Sequence, residues 1–291
     1  MTPAPDGPPG AMTTDAWPSS ARLDAPHVID RIAEITGVRL ILEGPCPGGE
    51  VGAAYVRWPD GRRSVLTEGR SRAAQLLDLA RDAGIPTARY ELSAHVDGTR
   101  VVVQRRLPGA PPTTVDAALV EAMVRLNLRF TGLLTGLPGV PGIDLFLNAD
   151  GPGFCLHEPL RAYGGRAARL LDWVHDVGAT DPGCDGDDLV HLDYHPGNIL
   201  VIGDRITGVV DWDGARRGDR HFDLVTLRFH LGLSAPHLTG PLDERLAAVL
   251  EPGLLRAYWA HMALRQVDWS IRHHDAGTVE RWLTVAEAGI N

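Results

Sequence analysis

The sequence contains no lysine; all 28 basic residues are arginine. The codon bias of a GC-rich genome explains a general excess of Arg, Ala, Gly and Pro, so the bias alone marks no function. Its consequence is specific, because a site built around one ammonium group must do without it. Cysteine is also scarce. Cys46, Cys155 and Cys184 are too few for a disulfide scaffold and lack metal-ligand spacing, which fits a reducing, cytoplasmic setting. No apolar run is long enough to cross a bilayer, so no membrane partner is expected. Positive charge is outweighed. A net charge of −9 argues against nucleic acid as a partner and is compatible with a cationic small molecule.

What is present suits a soluble protein of two lobes: 291 residues, 44% of them apolar. Residues 1–26, rich in Pro, Gly, Ser and Thr, lack the basic-then-apolar order of a signal peptide and read as a disordered leader. His27 to Ile35 has helical spacing, and Val38 to Leu42 is strand-like. A Gly/Pro-rich connector from Glu43 to Glu50 follows. Strands at Ala54–Trp58 and Ser64–Thr67 flank Pro59-Asp60-Gly61, a hairpin signal. A helix is expected over Ser71–Ala83 and a strand over Arg100–Gln104, before the linker Leu107 to Pro112. Beyond it, helices are expected at Val115–Leu134, Arg166–Val177, Leu242–Leu250, Gly253–His273 and Val279–Ala288. Short strands at Leu189–Leu192, Ile199–Ile202 and Thr207–Val210 surround the most informative stretch. The order is a strand-rich lobe over 27–106, then a mostly helical lobe over 107–291.

That stretch reads His191-Leu192-Asp193-Tyr194-His195-Pro196-Gly197-Asn198, followed after one hairpin by Asp211-Trp212-Asp213. An aspartate on a loop, an asparagine five positions on and further aspartates after a hairpin form a phosphoryl-transfer layout. The first carboxylate orients an acceptor hydroxyl, while amide and carboxylate oxygens suit Mg²⁺ bound to phosphates. His191 reads as a brace for the loop. A competing arrangement would place a transition metal on His191, Asp193 and His195, with Asp211 as a further ligand, but it leaves Asn198 unexplained.

The pattern His191-x-Asp193-x-x-x-x-Asn198 with Asp211-x-Asp213 resembles the aminoglycoside phosphotransferase and choline kinase superfamily. Gly218-Asp219-Arg220-His221-Phe222-Asp223-Leu224 is similar to that family's Gly-Asp-Pro-x-x-Asp-Leu segment, with Arg220 replacing proline. The resemblance implies an α+β, bilobal, protein-kinase-like fold with a small antiparallel-sheet N-lobe and a larger, mainly helical C-lobe. It implies a nucleotide, ATP or GTP, held with Mg²⁺. Asp193 becomes the base, Asn198 and Asp211 metal ligands, Asp213 a further metal or loop-positioning residue, and Asp219 and Asp223 supports. Backbone groups near Gln104, Arg106 and Leu107 would meet the base, and Gly48 and Gly49 the phosphates.

One part of the pattern is missing. The family's N-lobe lysine aligns with Thr67, and its glutamate partner falls at or near Gln75. Losing both together is physically coherent, because a glutamate left alone in a cleft would carry an unpaired charge. Arg70 or Arg72, or amides around Gly48-Gly49, are the substitutes available to the phosphates. The acceptor is expected to be a hydroxyl of a cationic small molecule, an aminoglycoside-like antibiotic or a biosynthetic intermediate. Acidic residues available to face a cation are Asp185, Asp187, Asp188, Glu251, Asp268 and Asp275, with Trp259, Trp269 and Trp282 to stack. Asp268, Trp269 and Glu251 are the leading candidates. The alternative is a pseudokinase or a repurposed kinase fold that binds a ligand or modifies a peptide.

Overall fold

The computed structural model describes residues 23–46, 52–69, 73–180 and 184–290. Helix α1 (Ala25–Thr36) opens the described chain, its first turn capped by Asp24 and its end marked by Gly37 in the left-handed region. The leader therefore cannot extend to residue 26; residues 1–22 lie outside the description. Val28, Ile29 and Ile32 are the buried stripe of α1.

Strands β1 (Ile41–Pro45), β2 (Ala54–Arg57), β3 (Arg63–Glu68), β4 (Tyr90–Val96) and β5 (Thr99–Arg105) form an antiparallel sheet in the order β1-β2-β3-β5-β4. The first strand starts three residues later than expected and runs through Gly44-Pro45 of the supposed connector. Strand β4 was not expected at all. It turns into β5 through Asp97-Gly98, both with positive φ, the two-residue turn that best suits strand twist.

Alternation gives the sheet two faces. Ala54, Val56, Leu66, Ala94, Val101 and Val103 pack under α1 in a small core of their own. The opposite face carries a row made by register, Tyr55 opposite Val65, Val65 opposite Gln104 and Gln104 opposite Tyr90, with Thr67 opposite Val102. Helix α2 (Ala73–Asp82) does not join the small core. Its Leu76, Leu77 and Ala80, with Ile85 after it, belong to the main core of the second lobe. The segment after α2 is strapped down there, with the Val209 N–H donating to Pro86 O at 2.7 Å.

The linker is tied to the second lobe by an Ala110–Val201 bridge. Its Gly109, at φ 99°, lies where a Cβ would stand 2.6 Å from Val201 O, so only glycine fits. The second lobe then supplies α3 (Ala117–Asn127), ending in a 3₁₀ turn at Leu128–Phe130 rather than running to Leu134. Next come α4 (His157–Tyr163) and α5 (Gly165–Gly178). Strand β6 (Asp188–Val190) pairs with β9 (Arg216–Gly218), and β7 (Ile199–Ile202) with β8 (Arg205–Val209). Helices α6 (His221–Ser234), α7 (Gly240–Val249), α8 (Pro252–His273) and α9 (Ala276–Glu287) complete it. The fold is the bilobal, kinase-like arrangement of a small antiparallel sheet on a largely helical body. Among the described residues no helix is long and apolar enough to cross a membrane.

Candidate active site

The loop between β6 and β7 closes in a 3₁₀ turn at Pro196–Asn198. Its start is held from α6. The buried Asp223 carboxylate accepts the His191 N–H at 2.8 Å and the Leu192 N–H at 2.9 Å. Bonds to two consecutive amides hold Leu192 at φ 68°, a left-handed conformation that leucine rarely adopts. His191 lies beneath, its Nε2 donating to Val210 O at 2.9 Å and its Nδ1 accepting the Asp193 N–H at 3.3 Å. Burial lowers its pKa to about 4, so it braces the loop as a neutral ring. Asp219 makes its hydrogen bonds to His221, at the entry to α6, rather than to the loop.

Both oxygens of Asp193 are engaged. Oδ1 accepts from Arg265 at 3.0 Å, and Oδ2 accepts from the Asn198 amide at 2.9 Å, with His195 Nε2 at 3.4 Å. Arg265 also donates to Leu192 O at 2.6 Å. Burial works to raise the Asp193 pKa, but the Arg265 guanidinium, and then His195, hold the carboxyl well below its usual range. The group is ionised and oriented, and it is a weak base. That suits a reaction in which the acceptor hydroxyl is aimed early and its proton leaves late. Arg265 was not singled out in the sequence. The available signal was its place on α8 just after the buried run Ala257–Leu264, where a guanidinium needs a partner.

Asn198 spends its amide nitrogen on Asp193 O and Oδ2, each at 2.9 Å, which leaves its carbonyl oxygen as the remaining donor atom. Asp211 sits at φ 65°, just past β8, facing solvent on one side. Packing of protein around the rest of it, and then the charge of Asp193, raise its pKa to about 6. A carboxylate destabilised by a like charge, with an amide oxygen from the neighbouring loop, where the Val210 N–H donates to Asn198 O at 3.0 Å, is an oxygen donor set that fits Mg²⁺. Asp213 is bonded across the lobes, accepting the hydroxyl proton of Tyr90 from β4; Tyr90 was also missed.

On the sheet, Thr67 is half-buried on the face opposite α1. Gln75 is exposed on α2, while Leu76 and Leu77 turn inward, so it does not stand where a partner of residue 67 would. The linker amides are partly committed. Arg105 N–H donates to Arg89 O at 2.9 Å and Arg106 N–H to Arg63 O at 3.3 Å, which removes Arg106 as a backbone donor to a base. Its side chain instead covers the Tyr55 ring at 4.0 Å. Gln104 lies in the β5 ladder. Gly48, Gly49, Arg70 and Arg72 lie outside the described residues.

A cavity of about 500 Å³ opens beside Asp193, walled by His195, Gly197, the end of α6 and Trp282 of α9. The three leading acceptor candidates do not line it. Asp268 is fully buried on α8, accepting from Leu156 N–H at 3.0 Å and from Arg272. Trp269 lies flat on His273 at 3.9 Å. Glu251 precedes α8, and at 1.5 Å per residue it stands about 21 Å along the axis from Arg265. Trp282, a lesser candidate, does line the cavity.

The transition-metal alternative changes membership. Asp193, His195 and His230 offer ligand atoms within 4.8 Å of one another, whereas His191 points to Val210. Two observations oppose it. His195 Nδ1 accepts the Gly197 N–H, so a neutral ring carries its proton on the nitrogen facing Asp193. The His195 and His230 rings are stacked at 4.1 Å and 12°, so their in-plane lone pairs run side by side instead of converging.

A loop carboxylate clamped by arginine, an Asn/Asp oxygen set and an interlobe tether define a kinase-like phosphotransferase. A family model described as the phosphotransferase enzyme family matches residues 48–264, and the chain belongs to that family. Among solved structures it is similar to aminoglycoside phosphotransferase APH(4)-Ia, at 18% identity over 91% of this chain and 98% of that one, TM-score 0.68. The GDP and kanamycin complex of APH(2")-IIia matches at 17% identity over 90% and 98%, TM-score 0.58. Macrolide 2'-phosphotransferase MphH from Brachybacterium faecium matches at 20% identity over 91% and 98%, TM-score 0.51. A search of curated proteins finds no match.

Proposed function

We propose that this phosphotransferase moves the γ-phosphoryl group of a nucleotide to a hydroxyl of a small molecule held in the cavity beside Asp193. The observation that carries the reading is the Arg265–Asp193 clamp at 3.0 Å, which holds an ionised carboxylate where the loop meets that cavity. Asp193 aims the hydroxyl and takes up its proton as the new P–O bond forms. Asn198 and Asp211 would hold Mg²⁺, which when bound supplies charge neutralisation for the phosphates. Leu107 follows the two committed linker amides and is the next N–H available to a nucleotide base, ATP or GTP. The anionic Asp193/Asp211 pair supports catalysis over a purely binding role, since two like charges held together are costly without chemical use.

Calorimetric titration with ATP and GTP, with and without Mg²⁺, tests the nucleotide part. Asp193→Asn tests the base. The expected result is Mg²⁺-dependent binding in both proteins and a loss of turnover of at least about 10³-fold in the variant. Absence of binding to either nucleotide, or unchanged turnover in Asp193→Asn, overturns the reading.

A further inference from the structure

The charge balance of the cavity beside Asp193 differs from what a polycation needs. Among the described residues that wall it there is no Asp, Glu or Arg, only His195, His230 and His237 as titratable groups. Burial keeps the His230 ring well below its usual pKa, so it adds no charge at neutral pH. The adjacent carboxylate is Asp193, and its charge is already matched by Arg265. A cation entering this space loses water and gains no anion from the described wall.

Four of the acidic residues named as available to a cation, Asp187, Asp188, Asp268 and Asp275, are engaged elsewhere. Asp187 pairs with Arg217, and Asp188 accepts amides of Gly132 and Arg220. Asp268 pairs with Arg272, Asp243 with Arg228, and Asp275 caps α9. Nor does Trp282 form an open cage for an ammonium group. Phe229 stacks against its ring at 5.6 Å and 13°, and His230 meets it edge-on at 5.4 Å.

What the cavity does offer is a wall of His195, His230 and Trp282, the apolar Val115 and Leu233, and hydroxyls of Thr113, Thr114 and Ser234. Flat rings beside a few hydroxyls suit a ligand with an apolar ring face and uncharged polar edges. Building on the proposed phosphotransfer, we infer that the acceptor is an uncharged, hydroxyl-bearing ring compound of glycoside type, not a polycationic amino sugar. The step is ordinary: the acceptor oxygen bonds to the γ-phosphorus, the bond to the β–γ bridging oxygen breaks, and the hydroxyl proton passes to Asp193.

The test separates recognition from chemistry by measuring binding without nucleotide. Calorimetry with the full chain uses 4-nitrophenyl β-D-glucopyranoside as the uncharged probe and kanamycin as the polycation. The uncharged probe is expected to bind at least tenfold more tightly. Ser234→Asp places a carboxylate at an exposed position of the cavity wall, and it is expected to raise kanamycin affinity relative to the glycoside at least tenfold. Kanamycin binding as tight as the glycoside, no binding of the glycoside, or a ratio unmoved by Ser234→Asp overturns the inference. Glycoside binding without phosphoryl transfer from ATP or GTP supports the cavity assignment and overturns the phosphotransfer reading instead.

Discussion

Replacing Arg265 by methionine removes the clamp while keeping most of the side-chain volume on α8. The guanidinium lies 3.0 Å from Asp193 Oδ1, with 17% of the arginine and 24% of the aspartate side chain exposed. At an effective dielectric near 20 the gross attraction at that distance is about 5 kcal/mol. Desolvation and partial solvent access reduce the net loss of stability to about 2 kcal/mol, within the margin of a typical domain. The kinetic loss is expected to be larger in proportion. Asp193 would lose one of the groups that orient it, and Leu192 O would lose its 2.6 Å donor in a strained turn. A base free to move by about 1 Å costs roughly 10²-fold, or about 2.7 kcal/mol of transition-state stabilisation. The assay is steady-state phosphoryl transfer on protein whose fold is verified by circular dichroism. The expected result is kcat reduced about 10²-fold with nucleotide KM changed less than about threefold, because Arg265 lies on α8, away from the sheet. Arg265→Lys keeps one of the two bonds and should fall between, at about tenfold. A kcat within about threefold of wild type in folded Arg265→Met would refute the clamp.

Thr67→Lys returns an ammonium group to the half-buried face of β3, and should tighten Mg²⁺-nucleotide binding about tenfold by calorimetry. An unchanged affinity would place the phosphates elsewhere. Tyr90→Phe deletes the interlobe bond to Asp213 and should lower the unfolding free energy by about 1 kcal/mol in a urea titration. An unmoved midpoint would mean that Asp213 finds another partner. Burial lowers the pKa of His191 and His261 from 6.5 to about 4 each. Between those values each ring binds a proton in the unfolded chain and not in the native one, so the stability these two rings contribute is full above about pH 6.5 and falls as the pH drops toward 4. The loss reaches at most about 3 kcal/mol per histidine at pH 4. The raised carboxyl pKa values of Asp211, about 6, and Asp223, about 8, act in the opposite sense over the same range, so the check is made on the rings themselves: a His191 or His261 imidazole titrating near 6.5 in the native protein by NMR would contradict this.

Much of the local structure was legible. Pro59-Asp60-Gly61 sits at the β2–β3 turn, and the helical spacing of α2, α5, α8 and α9 was read within a few residues. Strand β4 was legible and was passed over: Tyr90, Leu92, Ala94 and Val96 alternate with Glu91, Ser93 and His95, and the Asp97-Gly98 turn follows. The other misses have physical causes. Helix α6 is buried on nearly every side through Phe222–Leu227, so it lacks the polar stripe that reveals helical periodicity. The acidic residues could be counted in the sequence, but their partners could not. Asp268 looked like a surface charge and is a buried one.

The sequence by itself determined the chemistry of the loop. His191, Asp193, Asn198 and Asp211 lie close along the chain, so their types and spacing carry the Asp/Asn arrangement and the family with it. Tertiary structure decided what surrounds that loop. Arg265 reaches Asp193 from 72 positions away, and Asp223 holds His191 from 32. Tyr90 meets Asp213 only because β4 lies over the second lobe. The neutrality of the cavity follows from the same cause: a carboxylate's charge is available to a ligand only where packing has not already paired it.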